Sequence, residues 1–134
     1  MKLTIFTDGG SRGNPGPSAT GIVIKDEKEK VLAAYGEYLG KQTNNFAEYS
    51  AVISALKRAH KLGGTEIAFF ADSKLAIEQL KGNWKVKHPA IQKLFVQAYN
   101  EVQKFKKVTF KHVRRELNKE ADAEVNKVLD AKII

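Results

Sequence analysis

Four acidic residues stand apart in a chain otherwise rich in lysine: Asp8, Glu48, Asp72 and Asp122. Asp8 follows the alternating run Leu3-Thr4-Ile5-Phe6-Thr7, which reads as a strand closed by the acid. Asp72 closes a second apolar run over residues 65–71. Glu48 falls four residues before the apolar Val52, in what reads as the first turn of a helix. Asp122 lies three residues before Val125 and seven before Leu129, at the edge of a helical stripe. Carboxylates of this kind, if gathered, make a hard oxygen site suited to Mg²⁺ or Mn²⁺. Two such ions roughly 3.5–4 Å apart clamp the attacking water and the leaving oxygen of a phosphodiester cleavage.

Each acid has an ordinary explanation when taken singly. Asp72 before Ser73 is good helix-start chemistry. Asn45-Phe46-Ala47-Glu48 fits a capping-box variant, and Asp122 near a helix start complements the macrodipole. Asp8 has the least structural rationale, because an acid at the end of a buried strand gains little. Convergence separates the two readings. Carboxylates packed into one concave site repel each other, desolvation raises their pKa values, and a divalent cation resolves both problems.

The elements that must position them follow from periodicity. A strand over residues 3–7 leads into the run Gly9-Gly10-Ser11-Arg12-Gly13-Asn14-Pro15-Gly16-Pro17, which reads as a loop. Residues 19–25 and 31–39 read as a hairpin around the charged turn 26–30. Helical spacing runs from Phe46 to Leu62 through Tyr49, Val52, Ile53, Leu56 and Ala59, and Gly63-Gly64 stops it. The strand 65–71 is followed by short helical spacing with Leu75, Ile77 and Leu80. Pro89 opens a helix carrying Ile91, Leu94, Phe95, Ala98 and Val102. Residues 107–113 alternate as a fifth strand, and a last helix begins near Asn118. The order β-β-β-α-β-α-α-β-α implies a mixed α/β sheet with helices on its faces. Parallel pairing of the first and fourth strands would then bring Asp8 to Asp72 at the sheet's carboxyl edge.

The 134 residues suit one domain spanning 1–134. Cysteine is absent, which excludes disulfides and thiolate metal sites. The opening residues lack the apolar region of a signal peptide, and no apolar run approaches the ~18 residues of a membrane span. A cytoplasmic location and no membrane partner are the expectation. The net charge of +8 points to a polyanion, with nucleic acid favoured because the last helix carries four acids.

At this point the residues resemble a known family. Thr7-Asp8-Gly9-Gly10-Ser11-Arg12-Gly13-Asn14-Pro15-Gly16-Pro17 is similar to the opening signature of type 1 ribonuclease H. Thr43-Asn44-Asn45-Phe46-Ala47-Glu48 resembles that family's helix entry, Ala71-Asp72-Ser73 its strand-end acid, and Asn118-Lys119-Glu120-Ala121-Asp122 its last metal-binding acid. The resemblance implies a ribonuclease H-like fold, a five-stranded mixed sheet whose second strand is antiparallel to the rest. It implies metal-dependent hydrolysis of the RNA strand of an RNA–DNA hybrid, leaving 3′-hydroxyl and 5′-phosphate ends. By the same resemblance two Mg²⁺ ions, with Mn²⁺ able to substitute, are bridged by Asp8. Glu48 and Asp72 complete one site, and Asp122 helps hold the other. The expected protein is a monomer, with double-stranded RNA as an alternative duplex and a hybrid-binding module without catalysis as the non-enzymatic alternative.

Telling RNA from DNA requires contact with 2′-hydroxyls across a wide minor groove. Gly9, Gly10 and Gly13 would permit close approach there, and Asn14, Asn44 and Asn45 offer donors and acceptors together. Thr43 resembles the family's DNA-phosphate contact. Turn and cap chemistry accounts for the same asparagines. Ser73 and Lys74 follow the strand-end acid, with Lys74 standing where the family often has Gln. Only Gly82-Asn83-Trp84-Lys85-Val86-Lys87-His88 stands in place of the family's basic protrusion; Trp84 beside Lys85 and Lys87 suits either contact with a DNA strand through stacking and charge or covering the core. The family's mobile loop histidine has no clear counterpart. The segment is short, His112 reads as a strand end, and Arg115 or Glu116 is the available substitute.

Overall fold

The computed structural model describes residues 1–132. Six strands form one sheet: β1 (Lys2–Ser11), β2 (Gly16–Lys25), β3 (Val31–Tyr35), β4 (Tyr38–Gln42), β5 (Glu66–Ala71) and β6 (Lys107–His112). Their order is β3-β2-β1-β5-β6, with β4 pairing on β2 beside β3. β2 is antiparallel to β1, β3 and β4, while β1, β5 and β6 run parallel. The helices are α1 (Asn44–Lys61), α2 (Lys74–Leu80), α3 (Pro89–Val102) and α4 (Lys119–Ala131), the last preceded by a 3₁₀ turn over Arg115–Leu117.

Side-chain alternation along β1 divides the molecule. Leu3 and Ile5 point to the face on which α1 lies, and there they join Val52, Leu56, Ala59, Phe69 and Ala98 in the main core. Tyr49, Val52, Ile53, Leu56 and Ala59 are all buried, as the helical spacing predicts. Burial of each large apolar side chain contributes roughly 1.5–3 kcal/mol, so this face carries most of the stability. The opposite face carries Asp8 and Gly10. α4 covers it with a smaller cluster of Ala19, Val125 and Leu129.

The structure corrects four boundaries. β1 does not stop at Asp8; it runs on through Gly9 and Gly10 to Ser11, and β2 starts already at Gly16. The supposed loop is therefore a tight hairpin, with Asp8 opposite Gly21 and Ser11 opposite Ser18. Gly9 and Gly10 are not breakers here. They mark close approach of neighbouring backbone, the other meaning of glycine within a strand.

The expected third strand is split into β3 and β4, giving six strands in place of five. At the break, Gly36 sits so close to β2 and α4 that a Cβ would lie 2.5 Å from the Thr20 carbonyl oxygen. The Thr20 hydroxyl accepts from Glu37 N–H at 3.0 Å, interrupting the regular ladder. Finally, α1 starts at Asn44 with Thr43 as its cap, so Glu48 belongs to the second turn.

Candidate active site

Parallel pairing of β1 with β5 sets Thr7 opposite Ala71, so the next residues, Asp8 and Asp72, emerge side by side. Ser73 caps α2 by accepting from Ala76 N–H at 3.3 Å. The cap position is therefore Ser73, and Asp72 is left free to face the sheet's end.

Glu48 reaches Asp8 because Gly9 has no side chain. A Cβ there would lie 2.3 Å from the Ala47 carbonyl carbon and 2.4 Å from the Glu48 nitrogen. The helix thus lies directly on the strand at the residue after Asp8. Thr43 holds the start of α1 by accepting from Phe46 N–H at 3.1 Å. The capping-box role expected for Glu48 is thereby ruled out, since the cap lies five residues before it.

Asp122 comes from the other face. Gly21, opposite Asp8, allows α4 to sit so near that a Cβ would meet the Ala121 carbonyl oxygen at 2.0 Å. The buried Asn118 fixes the start of α4 to β1, donating through Nδ2 to the Thr7 carbonyl at 2.8 Å. Asn118 thus ties Asp122 to the residue preceding Asp8.

Carboxylate oxygens of Asp8, Glu48 and Asp72 lie within 4.8 Å of one another. Asp122 lines the same cleft, of about 550 Å³, at the end of the sheet. Asp8 is only 8% exposed. Burial, then the charge of Asp72, then Asp122, pushes the Asp8 carboxyl up to about 8, against a smaller lowering by the Gly9 N–H that bonds Oδ1 at 3.0 Å. Burial, reinforced by Asp8 and Asp72, pushes the Glu48 carboxyl well above the ordinary range. A cluster of acids held in reach of one another fits a hard divalent cation: it offers only oxygen ligands, and none of the ion pairs among the described residues involves it.

The cleft also gathers Gly9, Gly10, Asn44, Asn45 and Ser73. Gly9 and Gly10 have a packing role that sequence reasoning missed, Gly10 facing Val125 of α4. Asn44 accepts from Ser11 N–H at 2.8 Å, and Asn14 accepts from Asn44 N–H at 3.1 Å. The two asparagines lace the hairpin turn to α1, and their NH₂ groups have no protein acceptor among the described residues. Gly13, Asn14, Thr43, Lys74 and Trp84 do not line the cleft. Gly13 turns the hairpin with φ +86°, while Lys74 is exposed at the start of α2. Trp84 is 45% exposed, open to solvent and no cover for the core. His112 ends β6 as an exposed residue opposite Ala71.

Sequence reasoning did not single out Arg12 or Asn126, which also line the cleft. Asn126 was legible in principle, since it lies one helical turn after Asp122. Of the two substitutes for the loop histidine, Arg115 opens into the cleft, and Glu116 instead lies beside Phe6 and Lys119 on the neighbouring surface.

Residues 6–128 match the family model described as reverse transcriptase-like. The bifunctional protein Rv2228c of Mycobacterium tuberculosis is 46% identical over 132 residues, 98% of this chain, which spans only 36% of that protein's length. Ribonuclease HI of Halobacterium salinarum is 39% identical over 129 residues, covering 96% of this chain and 65% of that one. Among solved structures, LC11-RNase H1 in complex with an RNA/DNA hybrid superposes with a TM-score of 0.94 at 37% identity, covering 98% of this chain and 99% of that one. A family-model match over residues 6–128, a ribonuclease HI 39% identical along 96% of this chain, and superposition at a TM-score of 0.94 leave one assignment: the chain belongs to the type 1 ribonuclease H family.

Proposed function

We propose that this chain, acting as a single domain over residues 1–134, is an endoribonuclease that hydrolyses the RNA strand of RNA–DNA hybrids. The observation that carries this reading is the gathering of Asp8, Glu48 and Asp72 within 4.8 Å, with Asp122 across one open cleft of a protein with net charge +8. Similarity to a ribonuclease H solved with a hybrid bound supports the substrate class.

Asp8, Glu48, Asp72 and Asp122 would hold two Mg²⁺ ions, for which Mn²⁺ substitutes. When bound, the metal supplies charge stabilisation at the phosphate and a water acidic enough to attack it. The protein's own part is positional. Asp8 offers oxygens toward both Glu48 and Asp72 on one side and Asp122 on the other. The rigid β1–β5 pair and the two close-packed helices keep these groups in place before substrate arrives. Water attack at phosphorus with departure of the 3′ oxygen leaves 3′-hydroxyl and 5′-phosphate ends. Arg115, which lines the cleft, would meet the phosphate there.

Recognition of the RNA strand falls to the free amide donors of Asn44, with Asn45 and Ser73 beside them, at the level of the 2′-hydroxyls. Thr43, Asn14 and Gly13 would extend this surface, and Lys74 and Trp84 would serve as contacts to the second strand. Among the described residues no helix is long and apolar enough to cross a membrane. A monomer acting in the cytoplasm completes the proposal. Side-by-side incubation of labelled hybrid, duplex RNA and duplex DNA with Mg²⁺ tests it: RNA fragments should come from the hybrid first. Duplex RNA cut equally well would point to the broader specificity, and binding without products to a non-catalytic module.

A further inference from the structure

Asp122 differs from the other three acids in how it is held. Asp8, Glu48 and Asp72 are fixed by strand register and by a helix seated on Gly9, whereas Asp122 stands on the partly exposed flank of α4, outside the tight trio. Its carboxylate has one side-chain donor on its own helix: Asn126 Nδ2 lies 3.3 Å from Asp122 Oδ2. The other end of the same amide, Oδ1, accepts from Arg12 in the hairpin turn at 3.4 Å, and Arg12 also donates to Asp130 at 2.6 Å. Residues 122, 126 and 130 form one stripe along α4 at successive turns. Arg12 reaches across to that stripe from a position 118 residues away from Asp130 in the chain.

The chemistry fixes which way the Asn126 amide points. A carboxylate only accepts and a guanidinium only donates, so a residue between them needs one donor and one acceptor. An amide meets that requirement. An acid at this position would repel Asp122, and a lysine or arginine would compete with a bound cation for it.

We propose that Asn126, held by Arg12, is a positioning residue that sets the orientation of Asp122 for the metal. This rests on the nuclease reading and deepens it. Asn126 is exposed and belongs to no apolar cluster, so the fold does not need it. Arg12 also lines the cleft, and its ion pair is with an Asp130 side chain that is 67% exposed. A pair so exposed contributes little stability, which leaves orientation of the Asn126 amide as its main structural effect.

Three variants test this by direct calorimetric titration with Mn²⁺, by the Mg²⁺ dependence of cleavage, and by thermal melting. N126A should weaken metal binding roughly 10-fold, the lower end of the typical cost of losing an outer-shell partner, with melting unchanged. N126Q keeps a donor and an acceptor and should recover most of that loss. R12A should weaken binding less than N126A, and the double variant R12A/N126A should be no worse than N126A alone, since the two act in series. Superimposable metal titrations for N126A and the parent protein would overturn the proposal. D122N separates the two levels of the argument. If D122N leaves metal binding and cleavage intact, the nuclease reading of Asp122 itself fails; if D122N abolishes both and N126A changes neither, only the positioning role fails.

Discussion

Asp8 and Gly21 face each other across the β1–β2 ladder, and the missing side chain of Gly21 is what lets α4 carry Asp122 up to Asp8. The residue after Asp8 does the same for α1: Gly9 admits Glu48 from the opposite face. Two glycines one ladder step apart thus seat two helices around one buried acid.

Gly9→Ala should therefore damage the site through the fold. The added methyl would start 2.3 Å from the Ala47 carbonyl carbon, so α1 must shift. Overpacking of this kind costs roughly 1–3 kcal/mol, and the shift moves Glu48 away from Asp8. Lower melting temperature together with weaker Mn²⁺ binding is the expected pair of results in a thermal melt and a metal titration. A variant matching the parent in both would show that the close approach is dispensable.

The elevated Asp8 carboxyl makes a prediction about pH with a definite sign. Its folded-state value, about 8, lies above the ordinary 3.8. Between these values the folded protein holds a proton that the unfolded chain has released. Stability without metal is then complete below about pH 4 and is lost progressively as pH rises toward 8. Glu48, shifted in the same direction, adds to the slope. Asp8→Asn should flatten this dependence and melt higher than the parent at pH 8 in chelator, while converging with it in acid. Parallel curves for the two proteins at every pH would contradict the account.

Metal binding should show the mirror image. The cation must displace protons from Asp8 and Glu48, so the half-saturating Mg²⁺ concentration should fall as pH rises from 6 to 8 and level off above. Isothermal titration in buffers of different ionisation enthalpy would reveal the released protons. No proton release at pH 6.5 would argue that the two acids are already ionised.

Much of this arrangement was legible in the sequence, and the misreadings are instructive. Strand-end placement of Asp72, the stripe of Tyr49, Val52, Ile53, Leu56 and Ala59, and Pro89 at a helix start all follow from local rules. The glycine run after Asp8 does not. Local rules make Gly9-Gly10 a loop, but the tertiary need for helix backbones to touch the sheet on both faces keeps it in the strand. The split of the third strand has a similar origin, because Gly36 lies against β2 and α4 at once. Asn118 was visible only as part of a motif; its anchoring of α4 to the Thr7 carbonyl requires two segments 111 residues apart.

Asn118→Ala should accordingly cost about 1–3 kcal/mol, the usual consequence of leaving a buried backbone acceptor without its donor. Chemical denaturation measures this directly. A loss below about 0.5 kcal/mol would mean that apolar packing of Val125 and Leu129 alone holds α4 in place.

Arg115 and Glu116 are adjacent in sequence but open onto different surfaces. Arg115→Ala should lower kcat for hybrid cleavage roughly 100-fold, the lower end of the cost of losing a single charge-stabilising group, and Glu116→Ala should leave it near the parent value. Equal effects from the two substitutions would remove Arg115 from the reaction.

The most direct test follows the RNA strand itself. A hybrid with end-labelled RNA is incubated with the protein in Mg²⁺, in chelator, and with Asp8→Asn. Metal-dependent RNA fragments ending in 3′-hydroxyl, absent in chelator and reduced beyond the roughly 10–100-fold cost of an outer-shell loss in Asp8→Asn, are the predicted result. Intact RNA beside retained hybrid binding, or unchanged cutting by Asp8→Asn, would contradict the idea that these gathered acids do the chemistry.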